Sequence, residues 1–422
     1  MKKNIGFVST RFSGTDGVSL ESAKWANVLG AEGHTNYWFA GQLDRQPDFS
    51  MLVPEAFFDH PLNRKIESGI WGKLQRAPEL NRQIKDMAEF LKGKLYEFVD
   101  SFGIDIIIAQ NALTIPMHVP LGLALTDFLA ETGIPCIAHH HDFYWERPRF
   151  SVNAVKDYLD MAFPPSLPNI QHAVINSAAQ DQLAWRKGLS SIIVPNVLHF
   201  EEEPRDAERD PDEIRRYIGL EPDDILILQP TRVVPRKGIE HAITLVGRLR
   251  NPRYKLVVSH ESGDEGDTYE RALQEMAHEA GVDLRFIRTR VPTFLWGEYQ
   301  ATEEDETPSL WDVYPCADLV TFPSLYEGFG NAFLEAFYFR KPILVNRYSI
   351  WIEDIEPKGF KTIDMDGYIT QEVVEEVKQI LSDDKAREEM TGLNFELARR
   401  YFSYEILKRR LRSLILNVTG MD

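Results

Sequence analysis

Cysteine is nearly absent from the 422-residue chain, with only Cys136 and Cys316, far apart and in no C-x-x-C pair. That excludes a disulfide framework and a thiolate zinc site, and it suits a reducing, cytoplasmic compartment. Long apolar runs are missing as well. None approaches the ~20 residues of a membrane span, so no integral membrane segment is expected. The opening Met-Lys-Lys runs directly into the strand-like stretch from Ile5, too short for a signal peptide. Positive charge is in deficit: 47 Lys plus Arg against 65 Asp plus Glu leave a net charge of −18. Phosphate backbones reward clustered cations, so nucleic acid is excluded as a general partner. With 43% apolar and 27% charged residues, what remains is globular composition and enough chain for more than one core.

Short apolar runs alternate with longer amphipathic stretches. Strands are expected at Ile5–Ser9, Asn36–Ala40, Ile104–Ala109, Pro135–Ala138, Ala173–Ile175 and Ser191–Val194. Helices fall between them, at Val18–Gly33, Glu79–Phe102, Val119–Glu131 and Ser177–Lys187. This order implies a parallel sheet with helices on both faces. Glu201–Glu213 holds eight acidic and two basic residues with two prolines, and reads as a solvated linker or its immediate surroundings. The alternation then restarts, with strands expected at Ile225–Gln229, Lys255–Ser259, Leu284–Ile287, Leu319–Phe322 and Pro342–Val345. Pro292–Thr307 reads as a surface insertion, and Gln371–Asn417 is helical in pattern. The expected architecture is α/β, with two doubly wound Rossmann-like domains facing a cleft: residues 1–200, an acidic linker region 201–213, and residues 214–403.

In open parallel sheets, ligands bind beyond the carboxyl ends of the strands. After Phe322 comes Pro-Ser-Leu-Tyr-Glu327-Gly-Phe-Gly-Asn331, a glycine-containing loop leading to a helix. Backbone N–H groups at such a helix start favour a phosphate. Glu327 in the loop and Glu335 in the first turns can grip sugar or ribose hydroxyls. After Gln229 comes Pro-Thr-Arg232-Val-Val-Pro-Arg-Lys237-Gly238, where Arg232 and Lys237 can neutralise a diphosphate leaving group without a metal. An ordinary basic turn is the competing reading, and Arg236 is assigned to it.

The run His139-His140-His141 resembles a metal site, yet adjacent residues of an extended chain point to opposite faces and converge poorly on one ion. A single imidazole on a sugar hydroxyl, His141 first and His140 next, stands beside a plain core or surface histidine. The turn Thr10-Arg11-Phe-Ser-Gly14-Thr-Asp16-Gly17 is not G-x-G-x-x-G. No acidic residue closes the second strand either, against a nicotinamide site. It reads as an acceptor- or sugar-contacting turn. Asp364-Met-Asp366 is read as surface rather than a metal site, and no metal ligand set is assigned.

Glu327-x7-Glu335 within Pro-Ser-x-x-Glu-Gly-Phe-Gly, Arg232-x4-Lys237, Val194-Pro-Asn-Val197 and the strand-end His141 together resemble the family 4 retaining glycosyltransferases of GT-B fold. The resemblance implies a hexosyltransferase whose first domain binds the acceptor and whose second binds the nucleotide sugar, with a final helix, about 404–417, crossing back onto the first. It further implies that Arg232 and Lys237 bind the diphosphate, Glu335 the ribose, and that Glu327 and His141 act at the transferred sugar. Gly328, Phe329, Gly330 and Asn331 would present backbone groups to it. The sequence departs from the family pattern at Ser259–Gly266, in place of a glycine pair, and at Thr15-Asp-Gly-Val18, in place of a double glycine.

Thr15–Glu21, Trp25 and the 260–266 segment resemble the mannosylglucosyl-phosphoglycerate synthase branch, which implies GDP-mannose as donor with UDP-glucose its rival. The acceptor would be a small soluble anionic sugar derivative, making a compatible solute, met by Gly14, Asp16, Gly17, Arg11, Arg147 and Arg149. Ordinary surface charge is the other reading of those arginines. No cofactor is expected beyond the donor, and a divalent ion would be at most stimulatory. Alternatives are a UDP-glucose-dependent glucosyltransferase, a sugar-nucleotide epimerase or hydrolase, and an enzyme acting on a lipid at a membrane surface. The last draws on Arg64–Arg76, where Ile66, Ile70 and Leu74 fall at helical spacing among cations; a packed helix or an acceptor-site flap is the plainer reading.

Overall fold

A computed structural model describes residues 2–14, 16–204, 209–259, 267–289, 294–295, 298–299 and 307–420. The chain divides into two compact units: Met1–Pro195 with Thr293–Gln300 and Leu407–Asp422, and Asn196–Pro292 with Ala301–Ile406.

The first unit is built on seven parallel strands, β1 (Asn4–Val8), β2 (Thr35–Ala40), β3 (Ser50–Leu52), β4 (Ile106–Gln110), β5 (Cys136–His140), β6 (Ile170–Val174) and β7 (Ser191–Ile193). Their order is β3-β2-β1-β4-β5-β6-β7. All described pairings are parallel, Ile5 facing Asn36 on one side and Ile106 on the other. Such a sheet is covered on both faces, which is why β4 is a continuous run of Ile106, Ile107 and Ile108, all fully buried. The crossover helices are α1 (Gly17–Ala31), α2 (Pro61–Ile70), α3 (Pro78–Phe102), α4 (Val119–Thr132), α5 (Lys156–Ala162) and α6 (Ser177–Lys187). Asp16 caps α1 by accepting from the N–H groups of Val18 and Ser19, and Gly103 ends α3 in the left-handed conformation.

The second unit contains α7 (Pro211–Ile218), β8 (Ile225–Gln229), α8 (Ile239–Leu249), β9 (Tyr254–Val258), α9 (Asp267–Glu279) and β10 (Asp283–Phe286). A two-residue ladder, β11 (Phe294–Leu295) with β12 (Glu298–Tyr299), lies in a segment grouped with the first unit. Then come α10 (Leu310–Val313), β13 (Leu319–Phe322), α11 (Asn331–Tyr338), β14 (Ile343–Asn346), β15 (Ile363–Met365), α12 (Gln371–Ser382), α13 (Asp384–Phe402) and, grouped from Leu407 on with the first unit, α14 (Tyr404–Thr419). The parallel strand order is β10-β9-β8-β13-β14-β15. Helix α14 buries Leu407, Leu411 and Leu414 at i, i+4 and i+7, and Lys408 and Arg412 both pair with Glu32 of α1's C-terminal end.

Several expectations need correction. At the end of the acidic segment Asp210 caps α7, a helix not anticipated there, whose Ile214 and Ile218 are buried one turn apart. The three-residue edge strands β3 and β15 were not expected. In Arg64–Arg76, Ile66 and Ile70 lie buried in the first unit's core while Leu74 is exposed beyond the end of α2. The three therefore form no single apolar stripe, and the packed helix is what the chain adopts. Pro292–Thr307 and the 260–266 segment fall almost wholly outside the described residues. Among the described residues no helix is long and apolar enough to cross a membrane.

Candidate active site

Strand order reverses once in each sheet, between β1 and β4 and between β8 and β13. At such a reversal the loops leave in opposite directions and open a crevice at the carboxyl ends of the two strands. The sequence-derived residues fall at these two reversals or, for those after β5, one strand away.

In the second unit, the loop after β8 carries Arg232, Arg236 and Lys237, and the loop after β13 carries Glu327 through Asn331. The two loops are locked together. Leu325 donates its N–H to the Arg236 carbonyl at 2.8 Å, and the buried Gln229 donates to the Lys237 carbonyl at 3.1 Å while accepting from Thr321 Oγ1 at 2.9 Å. Asn346 at the end of β14 donates to the Ser324 carbonyl at 2.9 Å. Glycine is demanded at Gly330, whose φ is +113° and where a Cβ would sit 2.8 Å from the Phe322 ring and 2.9 Å from the Tyr348 hydroxyl.

This packing brings Glu327 between two cations. Its carboxylate pairs with Lys237 Nζ and accepts from Arg236 Nη1 at 2.9 Å, in a site where the Glu327 and Lys237 side chains are only 9% and 12% exposed. Burial alone would raise the Glu327 carboxyl, but the charges of Lys237 and Arg236 hold it below the ordinary range. Burial also draws the Lys237 ammonium down, partly offset by Glu327. Arg236, assigned above to an ordinary turn, is thus a partner of Glu327. Arg232 is exposed, and its side chain makes no hydrogen bond or ion pair among the described residues. Beyond Gly330 no side chain caps the start of α11, so its first amides point out with the charge distribution that attracts anions. Asn331 accepts at 2.7 Å from Asn196 of the Val194-Pro-Asn-Val197 stretch. The Phe329 side chain is buried against Phe333 and Phe402, so only its backbone is available to a ligand. Glu335 is half-buried and accepts from the Tyr314 hydroxyl at 2.7 Å.

In the first unit, Arg11 through Gly17 follow β1, Gln110 and Asn111 end β4, and His141 through Arg149 follow β5. Ser9 Oγ donates to the Gln110 carbonyl at 2.8 Å. The His141 backbone donates to Asn111 Oδ1 at 3.1 Å, and His141 Nε2 lies 3.3 Å from Gln110 Oε1. Burial lowers the His141 imidazole to about 4, against the opposing charges of Asp142 and Asp16. It is therefore neutral near pH 7. His140 is corrected: it is buried between Thr114 and His172, hydrogen-bonding His172 at 2.9 Å, and faces no ligand. His139 is likewise buried, stacked on Trp25. The three imidazoles do not converge, as the alternation of side chains in a strand requires.

Among the acceptor candidates, Asp16 has a structural task, capping α1 and pairing with Arg11 at 3.0 Å. The Gly14 N–H donates to Asp44 at 2.9 Å, and Gly17 begins α1. Arg147 donates to Asp142 at 2.6 Å. Arg149 makes no ion pair among the described residues; it lies over the Phe150 ring at 4.4 Å and touches the Met117 sulfur. Asp364 lies within edge strand β15 and Asp366 directly after it, both exposed. The residues that sequence reasoning missed are Arg236, Gln110, Asn111 and Tyr314. The strand-end rule, applied to β4 as it was to its neighbours, points to Gln110 and Asn111.

Comparison with known proteins gives the family. Residues 210–392 match the family described as Glycosyl transferases group 1. The chain is 31% identical to the mannosylglucosylglycerate synthase of Petrotoga mobilis, over 96% of this chain and 99% of that protein. It is 31% identical to the enzyme of the same name from Thermotoga maritima, over 98% and 99%. The chain belongs to the group 1 glycosyltransferases. As a glycosyltransferase it draws on a nucleotide sugar donor. Solved structures agree on the GT-B fold: a glycosyltransferase from Rickettsia africae superposes with a TM-score of 0.70 at 12% identity, covering all of both chains. Anabaena HepE, solved with UDP and glucose, gives 0.65 at 13% identity, over 98% of this glycosyltransferase and 99% of HepE.

Proposed function

We propose that this glycosyltransferase moves a mannosyl group from GDP-mannose to glucosylglycerate, with retention of anomeric configuration. The observation that carries the reading is the near full-length similarity to two enzymes named mannosylglucosylglycerate synthase. Their name contains glycerate and no phosphate, so the small anionic acceptor anticipated from the sequence becomes one that carries a single carboxylate.

In this reading the second unit binds the donor. Arg232, Lys237 and the open start of α11 surround the diphosphate and stabilise the negative charge that develops as the sugar leaves. Glu335 takes the ribose hydroxyls. Glu327, kept ionised by Arg236 and Lys237, stands beside the transferred sugar, and backbone groups of Gly328, Phe329, Gly330 and Asn331 line it. The first unit binds the acceptor, with neutral His141 offering a hydrogen bond to a sugar hydroxyl. Arg149 is the candidate for the acceptor carboxylate, because Arg11 and Arg147 already pair with Asp16 and Asp142. Gly14 and Gly17 contribute backbone to that turn.

The test is a panel of GDP-mannose, UDP-glucose and other nucleotide sugars offered with glucosylglycerate, read by mass spectrometry and by NMR of the new anomeric centre. Mannosylglucosylglycerate of retained configuration is the expected product. Calorimetric titration with GDP and UDP accompanies it, and tighter binding of UDP, or activity on lipid-linked acceptors alone, overturns the proposal. Release of free nucleotide without a glycosylated product supports a hydrolase instead.

A further inference from the structure

Tyr314 is fully buried at the first position of the 3-10 turn Tyr314–Cys316, just ahead of β13. The capping box of α10, Ser309 with Asp312, fixes the turn's approach. Its ring lies flat on Phe339, which follows α11, with centroids 5.0 Å apart and planes 9° from parallel. Packing alone would be served as well by phenylalanine. The hydroxyl, however, reaches one strong acceptor, Glu335 Oε2 at 2.7 Å; the Ala332 carbonyl is at 3.4 Å. Burial first, and then the charge of Glu335, raise the phenol well above its ordinary range, so it is a permanent donor. A charge-assisted bond from a rigid, buried donor fixes the carboxylate that receives it.

We propose that Tyr314 is a positioning residue: it holds the Glu335 carboxylate in the orientation that reads the ribose hydroxyls of the donor nucleotide, and so sets the preference for ribonucleotides. This deepens the proposed function and rests on its assignment of Glu335 to the ribose. A buried tyrosine from one element thereby orients a carboxylate on another, as a supporting residue orients a contact residue in preorganised sites.

The experiment is calorimetric titration of the wild type, Tyr314→Phe, Glu335→Gln and the double variant with GDP and with 2′,3′-dideoxy-GDP, or the UDP pair if UDP binds more tightly. Melting curves are recorded for each. In the wild type the ribonucleotide should bind at least tenfold more tightly than its dideoxy counterpart. Tyr314→Phe should cut that ratio by fivefold or more, leave dideoxynucleotide affinity within twofold, and keep the melting temperature. In the Glu335→Gln background, adding Tyr314→Phe should change the ratio no further. A wild type that does not distinguish the two nucleotides overturns the ribose assignment of Glu335, and this proposal with it. A wild type that does distinguish them, with an unchanged ratio in Tyr314→Phe, overturns the Tyr314 role alone. So does equal weakening of both nucleotides, which marks a purely structural residue.

Discussion

The Cβ that Gly238 lacks would lie 2.4 Å from the carbonyl oxygen of Pro323. That gap is far inside van der Waals contact, and the atom in the way is backbone, which cannot rotate aside. Gly238 also has a φ of +62°. The glycine that ends the arginine–lysine loop is therefore what lets the glutamate loop close over it. Gly238→Ala should destabilise the second unit by about 1–3 kcal/mol from the strained backbone, with more from the displaced loop. Turnover should fall with it. Scanning calorimetry, with nucleotide titration at a temperature where the variant is folded, checks both.

Lys237 and Arg236 share one carboxylate but should not share one role. Lys237→Ala removes the more buried cation and should lower kcat/KM by about 10²–10³-fold, the scale for losing one preorganised stabilising group. Glu335→Ala should also reduce turnover strongly, chiefly through donor binding. Arg236→Ala leaves Glu327 paired to Lys237 and should cost about tenfold or less. Melting temperatures should remain near wild type for the two alanine variants of the loop, since each leaves Glu327 one cation. Wild-type kcat/KM in a folded Lys237→Ala protein would remove that residue from the mechanism.

These contrasts also mark what could be read from the sequence. The central strands announced themselves because both faces of a parallel sheet are buried, leaving Ile106-Ile-Ile108 no polar alternation to hide behind. Ser50–Leu52 and Ile363–Met365 did not, since edge strands bury one side only and three residues define no period. Arg232, Lys237, Glu327 and Glu335 could be nominated from the sequence because ligands bind beyond the strand ends of open parallel sheets. Arg236 was not: among neighbouring cations, only the fold selects which meet a carboxylate ninety residues later. Tyr314 was hidden for another reason. A tyrosine in an apolar stretch reads as core, which its ring is; its hydroxyl acquires meaning only through Glu335. The histidines at the end of β5 show the same limit, for His139 and His141 share Gln110 while His140 turns away to His172.

Those histidines make the first unit sensitive to acid. Burial lowers His118, His141 and His172 to about 4 each, and His139 and His140 well below 6.5. The folded values lie below the unfolded one, so the unfolded chain binds more protons as pH falls. Stability is complete above about pH 6.5 and is lost toward pH 4. Each of the first three withdraws on the order of 3 kcal/mol at pH 4, against a typical total of about 5–15 kcal/mol. Melting of the first unit should drop steeply between pH 6.5 and 4.5, followed by calorimetry with histidine resonances as the probe. A flat profile would mean that these imidazoles are not buried neutral.

No divalent ion should be indispensable. In the proposed function, Arg232, Lys237 and the uncapped start of α11 would supply the positive field that a metal would otherwise bring to a leaving diphosphate. Initial rates in excess chelator should match those without it. A complete loss that a metal restores would contradict the assignment; a modest stimulation acting on product release would not.

Arg149 offers the sharpest test of the acceptor. It makes no ion pair among the described residues, whereas Arg11 and Arg147 have carboxylates beside them. A guanidinium in that condition can take an acceptor carboxylate bidentately, a geometry that lysine cannot copy. Arg149→Gln should raise KM for glucosylglycerate about 10–100-fold, the equivalent of about 1.5–3 kcal/mol for a hydrogen bond to a charged group. Arg149→Lys should recover only part of it, and nucleotide affinity should be unchanged in both. Because its guanidinium also lies over the Phe150 ring, a melting curve must show that the effect is not lost packing. The decisive control is the methyl ester of the acceptor, which has no charge to pair. Wild type and Arg149→Gln should use the ester equally poorly; an ester that wild type uses as well as the acid would release Arg149 from the acceptor site.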